Sequence, residues 1–451
     1  MEMATTLQGV RPGLRQASSA PMWMLVGTWA LLLPMIFFAV QGLFTFYPGL
    51  ARTQSGTFQN TLLVTRSNTD RIVRLGIALL FFPIMFYYIF QNIQKVMATC
   101  VEERLLVMLT VWPIITIIWS QSPQNTIYYG LNLLILTLFT FYLARAFEPE
   151  RLMRFFVFCG FVFMVLNALT AIFLPRYGTS HGILGGVPAL QGICIHKNAC
   201  AYTTVFLIAP ALFCKLQGNT AAVRRWFYVI LGLIEIFLTQ SRTGWILTIL
   251  LLGFAALYLT LNKFQTRDAA ALSLFFAMVI GFLSFGLYQN YTQILFLLGK
   301  NATLSGRTQI WGAVMLSIWK HPIIGYGYHG FWTGLHGESS NIALRVQWNP
   351  GAAHSGYLET WLEVGGIGLA LVVWTFLRAL RDATIVLSHT RATYLGFYLA
   401  ILFMTAIVNI DESTLLGAPS LTWMFYLLAC MGLRFEARKA IIERYEASKA
   451  A

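Results

Sequence analysis

Residues 226–262 read WFYVILGLIEIFLTQSRTGWILTILLLGFAALYLTLN. Two apolar runs, 226–240 and 244–262, are parted only by Ser241-Arg242-Thr243. Such runs suit helices that cross a bilayer, whose hydrocarbon core of roughly 30 Å takes about 17 to 25 residues. A connection this tight folds the second helix back along the first.

Working outward, similar runs lie near 23–44, 75–93, 105–119, 127–144, 153–175, 199–214, 269–287, 357–379, 393–410 and 419–433. With the first pair they make twelve expected spans in an all-α polytopic membrane protein. The run at 105–119 is short and carries Pro113, so it is the least regular of them. The first run follows Arg11 and Arg15, is too long for a signal-peptide core, has no clear small-residue cleavage site, and is expected to be retained. Composition agrees, because 57% of the chain is hydrophobic and 11% charged, against about 25% charged in soluble domains.

The formal charge of +14 does not point to nucleic acid, because Lys and Arg sit in short clusters between apolar runs. With both termini inside, cytoplasmic segments hold 20 of the 31 Lys and Arg residues, as the positive-inside rule expects. Arg52, Arg66, Arg71 and Arg74 in the first outer loop run against that bias. The expected organisation is a cytoplasmic N-terminus at 1–22, spans one to nine over 23–287, a long periplasmic loop at 288–356, spans ten to twelve over 357–433, and a cytoplasmic C-terminus at 434–451. In the loop, Ile310, Trp311, Val314, Met315, Ile318 and Trp319 fall on one helical face. That spacing predicts an interfacial helix over 308–320, ended by His321-Pro322.

The six cysteines show no CxxC or Cys/His metal spacing, and a Cys194–Cys200 disulfide is not expected. His321, His329 and His336 have no metal-ligand spacing, and no DxD occurs to clasp a divalent ion on a diphosphate. No metal or cofactor is expected.

Four polar constellations interrupt the apolar pattern, and the expected topology puts all four on the outer face. The first is Gly192-Ile-Cys-Ile-His196-Lys197-Asn198, after the Gly-rich stretch 181–186. The second is Ser241-Arg242-Thr243-Gly244, where an Arg in a short outer turn opposes the charge bias and calls for an anionic partner. The third runs from Ser305-Gly306-Arg307 through Trp311 to His321-Pro322-Ile-Ile-Gly325-Tyr326-Gly327. Arg307 stands at a helix start, where backbone N–H groups favour anions and a guanidinium fork matches phosphate oxygens. The fourth is His354-Ser355-Gly-Tyr357, continuing through Glu363 to Gly365-Gly366-Ile-Gly368. His354 is expected to titrate near neutral pH, and Glu363, inside an apolar segment, to take either an Arg partner or a helix-packing hydrogen bond. Asp411-Glu412 follows the eleventh span on the same face, placed to orient His354 or pair with an Arg. Glu235 is a mid-span carboxylate with no role assigned. Blander readings stay open for each: snorkelling polar groups at 192–198, lipid headgroups for Arg242, an interface anchor for Trp311, a helix cap for His354.

At these residues the chain resembles the bacterial O-antigen ligase and polysaccharide polymerase superfamily. His354-Ser355, nine residues, then Gly365-x-x-Gly368 is similar to that family's loop-to-helix signature. The order of the other motifs is similar too, across residues 100–430. Ser355 stands where polymerase-like members often carry Asn, and Gly325 to Trp332 looks more like exopolysaccharide polymerases than ligases.

The resemblance implies a GT-C-like, metal-independent, inverting glycosyltransferase of the bacterial inner membrane. Its donor would be a glycan on undecaprenyl diphosphate at the periplasmic face. The acceptor would be a second lipid-linked glycan for a polymerase, or lipid A-core for a ligase, with a flippase and a chain-length regulator as protein partners. On that reading Arg242, Arg307, Lys197 and His196 bind the diphosphate and His354 is the base. Asn198, Ser241, Trp311, Tyr326, Ser355, Tyr357, Glu363, Asp411 and Glu412 support them. A transporter or flippase is the contrasting class, for which unusual residues at mid-membrane would be the mark.

Overall fold

The computed structural model describes residues 30–40, 68–180, 182, 186–216, 218–263 and 307–450. The N-terminus 1–22, the ninth expected span, half of the first span, most of the 181–186 stretch, and Ser305-Gly306 lie outside the described residues.

The described chain is mostly helical, with almost no sheet. Its helices are α1 (Leu32–Ala39), α2 (Asn68–Gln91), α3 (Ile93–Glu102), α4 (Arg104–Ile115), α5 (Pro123–Ala146) and α6 (Pro149–Phe173). A two-stranded pair follows, β1 (Thr179–Ser180) with β2 (Ala189–Leu190), antiparallel with Thr179 opposite Leu190. Then come α7 (Lys197–Phe213), α8 (Ala221–Leu238), α9 (Arg242–Leu261), α10 (Arg307–Ile318), α11 (Ser339–Val346), α12 (Gly356–Leu387), α13 (Leu395–Asp411) and α14 (Leu421–Ala450). Helices α5, α6, α9 and α12 are long and apolar enough to cross a membrane, and α13 and the segment Arg104–Ile118 are shorter apolar helices. The short elements α3, α11 and the β pair were not anticipated.

Helix starts follow local chemistry. Pro123 and Pro149 open α5 and α6, where a missing N–H costs nothing. The His196 and Ser241 side chains accept from Asn198 N and Gly244 N, capping α7 and α9.

Helix α7 is the centre of the bundle, packed by α6, α8, α9 and α13. Every residue from Ala199 to Phe213 is buried, as expected for a helix apolar all round. Helix α8 is different. Tyr228, Val229, Gly232, Glu235 and Ile236 face inward at helical spacing, while Val223, Trp226, Phe227, Ile230, Ile234 and Phe237 are exposed. An outward face that apolar fits lipid rather than water.

The segment after α9 forms a second, smaller core. Ile310, Val314 and Ile318 of α10 pack with Ile342 and Val346 of α11, Tyr326, Phe331, and Leu362 of α12. The apolar face read as interfacial therefore meets protein along much of its length, with Trp319 left exposed.

Helix α12 is broken at Gly365, whose φ of 71° and ψ of −178° are not helical. The loop 322–327 fills the break. Tyr326 N donates to Leu362 O at 3.0 Å and Gly327 N to Glu363 O at 2.8 Å, while Gly366 N donates to Pro322 O at 2.8 Å and Ile367 N to Ile323 O at 3.2 Å. Four of the backbone groups around the break thus find partners, as a low-dielectric setting demands. Gly365 has no substitute here, because a Cβ would stand 2.1 Å from Ile323 O.

Candidate functional site

Three helices begin around one point, where the described part of a fourth also starts. Lys197 opens α7, Arg242 opens α9, α10 begins among the described residues at Arg307, and Gly356 opens α12. The C-terminal end of α13 delivers Asp411 and Glu412 to the same point. The positive ends of the α7, α9 and α12 dipoles face this point, Arg307 pairs with both carboxylates there, and Lys197 and Arg242 lie near each other beside it.

Hydrogen bonds tie the five elements together. Arg307 pairs with the Asp411 carboxylate and carbonyl, and its Nη2 lies 3.3 Å from Glu412 Oε1. Asn198 Nδ2 donates to the same Glu412 oxygen at 3.0 Å. Thr243 Oγ1 donates to Asp411 Oδ2, which brings α9 in. Gly356 N donates to Glu412 O at 3.0 Å, and Ser355 Oγ reaches Asn409 O at 3.4 Å. Asn409 Oδ1 accepts from Thr414 N and Leu415 N and so fixes the chain just beyond α13.

His354 sits in this cluster, with Arg307 and Asp411 as its charged neighbours. Burial and the Arg307 charge push its imidazole down to about 4, against the pull of Asp411. The expectation of titration near neutral pH is therefore corrected: a half-buried ring beside a guanidinium resists a second positive charge. His196 is exposed, with Glu412, Lys197, His354 and Arg307 around it. Burial and the charge of Arg242 lower the Lys197 ammonium. Burial pushes the Glu412 carboxyl up, opposed by Arg307.

The backbone of His354 is held in the left-handed region at φ 50°, which a non-glycine residue keeps only when its surroundings enforce it. The clamp is on the preceding residue. Trp311 Nε1 donates to Ala353 O at 3.0 Å, Ala353 N donates to Glu359 Oε2, and Trp332 Nε1 donates to Glu359 Oε1. Trp311 thus supports His354 through the peptide before it.

Other expected site residues lie elsewhere. Tyr326 is buried in the smaller core with its hydroxyl on Ser317 O at 2.9 Å, and Tyr357 braces α12 to α13 through Ala406 O at 2.7 Å. Of the two partners expected for Glu363, the hydrogen bond is the one found: it is shared with Glu359, one turn earlier, and no Arg pairs with Glu363 among the described residues. Glu235, which had no role, accepts from Asn167, Cys200 and Thr204 at one oxygen. Asn167 in turn accepts from Ile193 N at 2.9 Å, so Glu235 supports the 192–198 loop from below. Cys194 and Cys200 are free thiols.

Thr243, Glu359 and Trp332 lie in or beside the sequence motifs but were assigned no role there, because only their partners in the fold reveal their work.

Fold and site together define a multi-pass, helical membrane protein with a charged centre at the ends of several helices. Residues 227–373, which include Arg242, Arg307 and His354, match the family described as O-antigen ligase. The chain is 22% identical to the exopolysaccharide production protein ExoQ of Rhizobium meliloti, over 71% of this chain and 75% of the relative. It is also 27% identical to an uncharacterized protein of Haemophilus influenzae, over 33% of this chain and 40% of that one. These matches support the O-antigen ligase and polysaccharide polymerase superfamily, the resemblance carried by the motifs.

Proposed function

We propose that the protein is a glycosyltransferase working at the periplasmic face of the inner membrane, which polymerises oligosaccharide units carried on undecaprenyl diphosphate into a surface polysaccharide. The observation that carries this reading is the gathering of Lys197, Arg242, Arg307 and His354 where α7, α9 and α12 begin. Such a place suits a diphosphate, and cations there stabilise the charge that develops as it leaves.

In the proposed reaction an acceptor hydroxyl attacks the anomeric carbon of the donor sugar. A new glycosidic bond forms, the bond from that carbon to the diphosphate oxygen breaks, and the configuration inverts. His354 takes the hydroxyl proton while the bonding pair departs with the diphosphate toward Arg242, Lys197 and Arg307. With Asp411 and Glu412 the three cations leave an excess of one positive charge, before the helix ends are added. The work asked of a metal elsewhere is assigned here to these groups, and activity is expected to survive EDTA.

The relative's description as an exopolysaccharide production protein favours polymerisation. The family description favours a second reading, ligation of the lipid-linked glycan to lipid A-core or another acceptor. Membranes containing the protein, supplied with lipid-linked donor and either acceptor, distinguish the two. Growth of a lipid-linked chain is the expected product, and transfer to lipid A-core alone establishes the ligase. Arg242→Ala is expected to lower transfer by roughly 10²- to 10³-fold, the usual loss of one leaving-group donor. Arg242→Lys should recover little, because the planar fork is gone. Full activity of the alanine variant at normal abundance removes the charge-clamp mechanism.

A further inference from the structure

Helix α12 leaves the His354 site and continues past its break for about 24 Å to Arg381, at 1.5 Å per residue. The far end of the bundle carries a second charged feature. An open pocket of about 790 Å³ is walled there by Arg104, Arg378, Arg381, Arg434 and Arg438, within the size range of small-ligand sites.

Three carboxylates offset part of that charge. Arg378 pairs with Glu103 at 2.7 Å, Arg438 with Glu102 at 2.7 Å, and Arg434 and Arg381 with Asp382 at 3.3 and 3.1 Å. Arg145 also pairs with Glu102, so six arginines against Glu102, Glu103 and Asp382 leave an excess of three positive charges. Arg104 is the unbalanced member: its Nε donates to Val101 O at 3.2 Å, and it has no ion pair among the described residues. Arg434 Nε is buried with no hydrogen-bond partner among the described residues.

The pocket wall is apolar where it meets the outer face of the bundle. Val101, Trp374 and Leu377 line it and are 62%, 61% and 57% exposed. Aliphatic side chains and a Trp beside a cluster of arginines match the boundary between acyl chains and headgroups. A soluble phosphate would use the arginines and leave that apolar wall bare.

We propose that this pocket binds an anionic phospholipid, its phosphate among Arg104, Arg381 and Arg434 and its acyl chains along Val101, Trp374 and Leu377. Basic pockets between membrane helices hold acidic headgroups in this way. The site is separate from the glycan chemistry and stands whichever reaction the His354 cluster performs.

The test uses the full chain in neutral detergent and reads its thermal unfolding midpoint. Phosphatidylglycerol is expected to raise the midpoint by a few degrees, as a ligand of the folded state does, whereas phosphatidylcholine and inorganic phosphate leave it in place. Arg104→Gln with Arg381→Gln should unfold at the wild-type midpoint without lipid and lose the increment. Both side chains are exposed, and Arg378 and Arg434 still balance Glu103 and Asp382. Should the double variant fold poorly, Arg104→Gln alone, which breaks no ion pair, is expected to lose part of the increment. Equal stabilisation by phosphatidylcholine, equal stabilisation of the variants, or a full effect from inorganic phosphate each overturns the proposal.

Discussion

His354 shows how surroundings set the work of one side chain. With its imidazole held down to about 4, it is neutral throughout the physiological range and ready to accept a proton. The sign follows directly: only below about pH 4 does the protonated, inactive ring dominate. The acid limb of kcat/KM, which reports the free enzyme, should therefore fall near 4 rather than near neutrality. A bound diphosphate brings negative charge, raises the imidazole, and should move the acid limb of kcat upward. A kcat/KM limb centred near 6.5 and abolished in His354→Ala would contradict the environment described. That variant should keep donor binding and lose transfer by about 10²- to 10⁴-fold. Trp311→Phe tests the clamp behind the ring. It removes the single hydrogen bond to Ala353 O, keeps the aromatic bulk, and should lower kcat by roughly 3- to 10-fold with KM little changed, given about 1 kcal/mol for such a bond. A change confined to KM would make Trp311 a substrate contact instead.

At the scale of elements, the break in α12 joins the two cores. The residues on either side of Gly365 exchange four backbone hydrogen bonds with the loop 322–327, so the short first piece of α12 is aimed by the loop rather than by the helix that follows. Gly365→Ala places a methyl against Ile323 O in a backbone region L-residues avoid, and is expected to cost about 1 to 3 kcal/mol or more. Gly366→Ala is the control: its nearest neighbours stand at 3.1 and 3.7 Å, and it should be tolerated far better. Thermal unfolding in detergent separates the two, and equal midpoints would mean the break carries no constraint. The Gly365-x-x-Gly368 spacing was readable as a motif, but the break was not. A continuous apolar period runs through it, and the partner loop lies some forty residues upstream. The short α3 and α11 escaped for a related reason, each being too brief to set up a period of its own.

On the scale of the whole molecule, what the sequence disclosed depended on distance along the chain. Apolar length is local, so every expected span that falls on described residues coincides with a helix. The polar interruptions are local too, and Arg242, Arg307, His354 and Asp411-Glu412 stood out before any contact was known. Their pairing is not local: Arg307 meets Asp411 and Glu412 across 104 and 105 residues, and no spacing announces that Glu363 prefers Glu359 to an arginine. Orientation is the remaining global property. It rests on a bias of 20 against 11 basic residues, and the arginine-rich pocket lies far along α12 from His354. If that end is cytoplasmic, exposed positions at opposite ends should differ toward an impermeant thiol reagent. Gln347→Cys, in the His354 half, should be labelled in intact spheroplasts. Ser448→Cys, on the last turn of α14, should be labelled only after permeabilisation. The native cysteines are buried apart from the half-buried Cys100, so a Cys100→Ser background keeps the signal clean. The opposite labelling pattern would invert the molecule, put the His354 site on the cytoplasmic side, and remove the periplasmic reaction proposed for it.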